Sequence, residues 1–411
     1  MATITLRNRK LSVSPGTVAW FGLVGLLLLI GVVSAVIVFK EGLVVTNLTN
    51  AVPWGLWITI DLSSIALGAG AFTLSAVVYI FGIERFRSVI RLAVLVGVVG
   101  YTSALLTLVM DIGRPDRFYH PWIYWNVHSV LWEITWCITL YLTIMLVEFA
   151  PVIVESHIFN RFPWLRTFGH ALHRVAPVLA VAGLLVSLLH QSSLGATYGI
   201  IKARPIWFKP SMPIMFIVSA IAVGPAVTMA AAFILEWISG KRTIAHDLLR
   251  TIARFSGLAL LVYAYIKFWD LAAVTYYGST PGSERAFQTL NLFTAYGFWF
   301  WVGEVFIGII IPVLMFILPR FNRRPVNLVF GALCAAAGIL INRWNVTVSG
   351  LIVPVSYSPG TEYVLPPQSY TPALIEWGVV LGVIGYIFLV FTLAMRFLPL
   401  FNTNDETHAA G

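Results

Sequence analysis

Charge is the scarcest commodity in this chain. Asp, Glu, Lys and Arg together make up 10% of 411 residues, against 59% hydrophobic. That leaves too little polar surface to cover a water-soluble body of this size, and it excludes a soluble globular domain. Cysteine is nearly absent as well: Cys137 and Cys334 lie far apart in apolar runs. This excludes a disulfide framework and a Cys-x-x-Cys pair, so both read as packing residues. Of the eight histidines, His157, His170, His173 and His246 fall in loops or helix ends on one side, His408 in the tail and His120 in a loop on the other side. Only His128 and His190 remain, both near one boundary, and no mid-membrane pair is left to ligate a haem. Phosphate-binding glycine loops, zinc motifs, low-complexity tracts and internal soluble domains are also missing. The first apolar run is too long for a signal h-region and has no small-residue cleavage site, so it reads as a retained helix.

What is present in quantity is hydrophobic length. Runs at about 17–40, 53–82, 89–111, 124–150, 175–197, 211–238, 255–277, 291–318, 326–344 and 372–398 each suffice to cross a core of roughly 30 Å at 1.5 Å per residue. The expected fold class is an all-α polytopic membrane protein with about ten transmembrane helices. Seventeen Lys and Arg residues fall in the tails and loops on one side and eight on the other. This asymmetry predicts that both termini are cytoplasmic and that 111–122 faces outward. The net charge of +9 is then a topology signal and does not point to nucleic acid.

Against this background, 111–133 packs three acids, two arginines and two histidines beside apolar runs. Such residues are costly in lipid unless they face a protein interior or a wet cavity. Asn126, Ser129, Glu133, Cys137 and Tyr141 recur at helical spacing on one face. Counting from residue 123 places Glu133 roughly 15 Å deep, near midplane, where it serves either function or a helix-locking hydrogen bond. Asp61 lies about 12 Å in from Pro53. Trp54 and Trp57 before it suit an interfacial belt or the wall of a flat ligand. Asp111 is followed by Arg114, as a local ion pair or as the lining of a ligand mouth. His190, Gln191, Ser192 and Ser193 end the fifth run at the level of Asp111 and His128, where the two imidazoles could exchange protons with a bound hydroxyl or carbonyl. Lys267 and Asp270, spaced i,i+3, read as a neutralised intrahelical pair, with Glu304 extending a second polar track. The loops 197–210 and 345–372 read as docking surface.

The runs VPWGLWITIDL, DIGRP, NVHSVLWEITWCITLYLTIMLVEFAP and LHQSSLG, with RWNV and YTPALIEW further on, resemble the NrfD-like, polysulphide-reductase-type membrane subunits. The likeness is to the ten-helix branch, which includes the membrane subunits of periplasmic nickel-iron hydrogenases and of menaquinone reductase complexes. The resemblance implies a multi-pass subunit of the bacterial inner membrane, part of a respiratory oxidoreductase complex and not active alone. It implies two four-helix bundles (53–197 and 211–344), peripheral first (17–40) and last (372–398) helices, and a periplasmic loop at 345–371. It further implies a quinone, menaquinone in particular, bound as substrate near the periplasmic face, with no haem, flavin or metal in the chain. A periplasmic iron–sulfur subunit is the implied electron partner, with a hydrogenase, molybdopterin-type or multihaem cytochrome c subunit beyond it. Carried onto this sequence, the pocket would use Asp111, Arg114, Asn126, His128, Ser129, His190 and Gln191, with Trp54 as a wall and Asp61 and Glu133 conducting protons. The rival class is a secondary transporter or ion channel, which would also place acids at midplane. Such proteins usually show internal repeats, and none is evident here, although Pro225 and Pro312 interrupt helices.

Overall fold

A computed structural model describes residues 2–6, 9–156, 163–277, 283–352 and 369–401. Among them, ten helices are long and apolar enough to cross a membrane: α1 Pro15–Val45, α2 Leu56–Tyr79, α3 Glu84–Asp111, α4 Val130–Val154, α5 Val175–Gly199, α6 Met212–Ser239, α7 His246–Thr275, α8 Ala295–Ile317, α9 Pro325–Ile352 and α10 Leu374–Phe397. The protein is an all-α multi-pass membrane protein. Among the described residues the strand pairing is a short antiparallel hairpin ahead of α1, Ala2–Leu6 against Arg9–Val13.

Helices α2 to α5 pack on one another, as do α6 to α9, and α2 lies against both α6 and α9. Small residues permit the closest approach. A Cβ on Gly224 would stand 2.3 Å from the Gly70 nitrogen, so α2 and α6 meet backbone to backbone. Helices α1 and α10 pair with each other in the same way through Gly31 and Gly382. The outer faces of α1, such as Leu26, Leu29 and Val32, stay exposed, as a lipid-facing helix requires.

Several boundaries depart from the hydropathy reading. Helix α4 starts at Val130, not 124. Ser129 caps it by accepting from the Trp132 amide at 3.4 Å, and the aromatic stretch before the cap is loop. Glu133 therefore sits in the first turn, about 5 Å from the helix start at 1.5 Å per residue, instead of near midplane. Helix α9 runs past residue 344 to Ile352, with π-helical geometry over Asn345–Ser349. Of the segment expected as a loop at 345–371, the part 353–368 lies outside the described residues. A second π-helical stretch, Trp299–Ile310, occupies the middle of α8. Widened turns of this kind concentrate at functional positions.

The polar groups of the second half are paired differently from the i,i+3 expectation. Lys267 on α7 bonds Glu304 on α8, not Asp270. Glu304 also accepts from Asn342 Nδ2 at 2.8 Å and Asn345 Nδ2 at 2.7 Å, so one buried carboxylate gathers α7, α8 and α9. Arg343, 1% exposed, stacks on Phe216 at 3.6 Å and donates to Ser219 and Asn342. Asp270 instead takes Lys209 at 3.0 Å, Ser211 at 3.0 Å and Arg285. It thereby clips the 200–211 loop and the surface helix Ser283–Leu290 to α7. Burial, with Arg285 adding to it, pushes the Lys209 ammonium down to about 8, against the pull of Asp270.

Candidate functional site

Helices α2, α3 and α5 bring a set of polar side chains together inside the first group of helices. Asp61 is 5% exposed, and His190 and Gln191 are completely enclosed. Asp111, the last residue of α3, is half-buried with its Oδ1 enclosed. Gln191 Nε2 donates to the Ile65 carbonyl at 3.4 Å, but its Oε1 makes no hydrogen bond within the protein. Both ring nitrogens of His190, Oδ1 of Asp61 and of Asp111, and the hydroxyls of Tyr101, Ser103 and Ser187 are in the same condition. Among the described residues ten buried side-chain polar atoms lack an internal partner, and eight of them lie on α2, α3 and α5. Each such atom costs about 1 to 3 kcal/mol in a closed core, and native proteins tolerate few of them. Concentrated in one place, they suit a polar ligand or water.

The surroundings are aromatic on one side and acidic on the other. Tyr101 presents its ring edge-on to His190 at 5.6 Å and lies 4.6 Å from Tyr141. Ser187 lies beside both tyrosine hydroxyls without an aligned bond to Tyr101. Trp54, at the entrance to α2, packs against Tyr198 at 5.6 Å and Trp207 at 6.1 Å. Asp61 and Asp111 lie within electrostatic reach of each other. Neither forms an ion pair among the described residues. The arrangement offers hydrogen-bond donors and acceptors, titratable groups and flat apolar walls over roughly 15 Å of depth, from Asp111 at the end of α3 to Tyr101 ten residues earlier.

One acid of this neighbourhood escaped the sequence reading. Glu376, in the first turn of α10, is fully buried. It accepts from the Tyr370 hydroxyl, from the Ala373 amide at 2.6 Å and from the Asn47 amide at 3.4 Å, and lies within electrostatic reach of Asp111. Burial and the bond to Glu376 push the Tyr370 hydroxyl well above its usual range. Trp57 donates to the Glu376 carbonyl at 3.1 Å and is 1% exposed, so it is a core residue and not part of an interfacial belt. The signal was available in YTPALIEW, as a carboxylate opening an otherwise apolar run.

The loop 112–129 carries four further candidates, and the structure holds them apart from the cluster. Arg114 forms a bidentate pair with Asp116, at 2.9 and 3.0 Å, and not with Asp111. This holds the exposed Asp116 carboxyl below its usual range. Asn126 and His128 are exposed, with Asn126 Oδ1 accepting from the His128 amide at 3.3 Å, and Ser129 is the α4 cap. The cause is the tryptophans. Trp122 donates to Thr139 Oγ1 at 3.2 Å, and Trp132 and Trp136 donate to the Pro121 carbonyl at 2.9 and 3.3 Å. These bonds fold the loop onto the outward flank of α4. His128 and His190 consequently do not face each other. Glu133 points inward, accepting from Ser193 Oγ at 2.8 Å, one turn along α5 from His190.

Deeper in α4, Glu148 accepts from Ser75 Oγ at 3.0 Å. It stands 18 residues past Val130, roughly 27 Å along the helix, close to the end that carries Arg85, Arg87 and Arg91. Tyr141, 1% exposed, is placed between Glu148 and the cluster.

The chain matches the family model described as "Polysulphide reductase, NrfD" over residues 44–355. It is 34% identical to the menaquinone reductase integral membrane subunit of Nitratidesulfovibrio vulgaris, over 92% of this chain and 90% of that protein. It is 26% identical to the Hdr-like menaquinol oxidoreductase integral membrane subunit of Archaeoglobus fulgidus, over 90% of each. The probable Ni/Fe-hydrogenase 2 b-type cytochrome subunit of Escherichia coli is 25% identical, over 87% and 85%. Matched by the family model across most of its length and by relatives along nearly all of it, the protein belongs to the NrfD family of integral membrane subunits.

Proposed function

We propose that this chain is the quinone-reactive membrane subunit of a multi-subunit respiratory oxidoreductase. It binds a quinone of the menaquinone class between α2, α3 and α5 and exchanges electrons with an iron–sulfur subunit docked at the periplasmic end. The observation that carries the reading is the cluster of buried polar atoms without internal partners on Asp61, Tyr101, Asp111, His190 and Gln191. Quinone carbonyls and quinol hydroxyls are the acceptors and donors such a cluster lacks, and Trp54 and Tyr198 offer flat walls for the ring. The relatives named for menaquinone and menaquinol chemistry support the choice of quinone.

Reducing a quinone takes two electrons and two protons. Electrons can tunnel from an external cluster, whereas protons need titratable groups or water. Glu148 near the basic end of α4, Tyr141 at mid-span and Tyr101 beside His190 furnish such groups across the thickness of the bundle, and Asp61, Asp111 and Glu133 furnish them at the opposite end. In this reading Glu133 tightens α4 against α5 and passes protons at the outer boundary, while the midplane position belongs to Tyr141. A transporter reading would need a charged or polar solute route, and the aromatic walls around the cluster favour a flat hydrophobic substrate.

Titration of the purified protein with a short-chain naphthoquinone, followed by tryptophan fluorescence, tests the site. Saturable quenching at one site is expected. Asp111→Leu should weaken the affinity about tenfold, the equivalent of one hydrogen bond to a buried polar group. Quenching that is linear and unaffected by the substitution would refute the assignment.

A further inference from the structure

We propose that the aromatic groove on the outward flank of α4 is the lateral doorway through which quinone passes from lipid to the buried cluster. The inference rests on the quinone reading above and adds a second, outer site for the same ligand. The groove has a volume of about 260 Å³ and is lined by His120, Tyr124, Asn126, Ser129, Leu131 and Trp132, among others. It lies at the start of the α4 span.

The ligand chemistry follows from how the tryptophans are tied. A belt of interfacial tryptophans ordinarily leaves its indole N–H groups to lipid headgroups and water. Here each one is already bonded within the protein: Trp122 to Thr139 Oγ1, Trp125 to the Trp122 carbonyl at 3.1 Å, and Trp132 and Trp136 to the Pro121 carbonyl. Trp125 packs against Trp132 and Trp136 at 5.3 and 5.2 Å. Of these rings Trp132 lines the groove, backed by Trp125 and Trp136, and it brings a π face and no free indole donor beside the hydroxyl, amide and imidazole groups of Ser129, Tyr124, Asn126 and His120. A planar ring bearing carbonyls, with an apolar tail left in lipid, matches that surface.

The first turn of α4 runs from the groove to the helix that carries His190. Ser129 and Trp132 line the groove, and the next residue, Glu133, bonds Ser193 on α5 one turn from His190. This explains why Asn126 and Ser129, which by sequence belong with His190, sit outside the bundle.

The test uses the assembled complex in native membranes. Leu131, 60% exposed in the groove, is replaced by cysteine and labelled after assembly with a bulky maleimide, so that folding is not at issue. Leu140→Cys, also on the exposed flank of α4 at 47% exposure, is labelled as the control. Turnover is measured with a long-tailed isoprenoid naphthoquinone. A fall in kcat/KM of at least fivefold on labelling Leu131→Cys, with kcat at saturation little changed and Leu140→Cys unaffected, is the expected result. Equal kcat/KM for the two labelled variants would overturn the doorway and leave the groove to ordinary lipid. Absence of quinone turnover in the unmodified complex would instead overturn the proposed function, and this inference with it.

Discussion

Replacing His190 by leucine should lower quinone-dependent turnover by roughly two to four orders of magnitude, the range lost when a positioned proton donor or acceptor is removed. The same substitution should leave the protein as stable as before or more so. The imidazole is completely enclosed and neither nitrogen bonds to the protein. Folding in the absence of ligand therefore carries a desolvation cost of about 1 to 3 kcal/mol for each unsatisfied group, which leucine of similar bulk does not incur. Activity that falls while the melting temperature holds or rises marks a residue retained for chemistry at the expense of stability. The partner enzyme's activity with artificial dyes serves as the control for assembly. Wild-type quinone turnover in His190→Leu, or a large drop in melting temperature, would show the imidazole to be structural.

The second large effect is expected at Glu304 and is one of assembly. This carboxylate is 3% exposed and accepts from Lys267, Asn342 and Asn345, with the buried Arg343 close by. Glu304→Leu leaves the Lys267 ammonium buried without an anion, a loss of about 3 to 5 kcal/mol, which is a large share of the stability of a typical domain. The variant should fail to accumulate in membranes. Glu304→Leu combined with Lys267→Leu removes both charges and should recover most of the protein, because a buried pair is often replaceable by apolar residues. Quantitative immunoblotting of membranes across the cycle measures this. Equal, poor recovery of the single and double variants would mean that the pair is not what Glu304 holds together.

The ten spans were legible because each carries enough consecutive apolar residues to be counted, and the inward stripe of α4 because Cys137 and Tyr141, 3% and 1% exposed, keep helical spacing with Glu133. The start of α4 was not legible by hydropathy: the loop tryptophans and Ile123 are as apolar as the helix they precede, so the window ran through the Ser129 cap. That error moved Glu133 to midplane and drew Asn126 and His128 into the interior. The Lys267–Asp270 pair failed for another reason. Local spacing lists only partners on the same helix, and Lys267 found Glu304 on the next one. Glu148 had no polar companion nearby in sequence, and its partner Ser75 comes from another helix; Glu376 stands six residues from its partner Tyr370, inside YTPALIEW, where spacing alone does not mark the pair. The buried cluster itself was half readable. His190, Gln191, Asp61 and Asp111 stood out as polar residues in apolar runs, whereas Tyr101 and Tyr198 were hidden among residues that helices bury routinely.

The most direct test of the account is photolabelling of the assembled complex with an azido-naphthoquinone, with and without excess menaquinone, followed by peptide mapping. Label that menaquinone displaces is expected in the peptides covering 54–61, 101–111 and 187–198. Displaceable label confined to 211–344, or label that menaquinone does not displace, would contradict it.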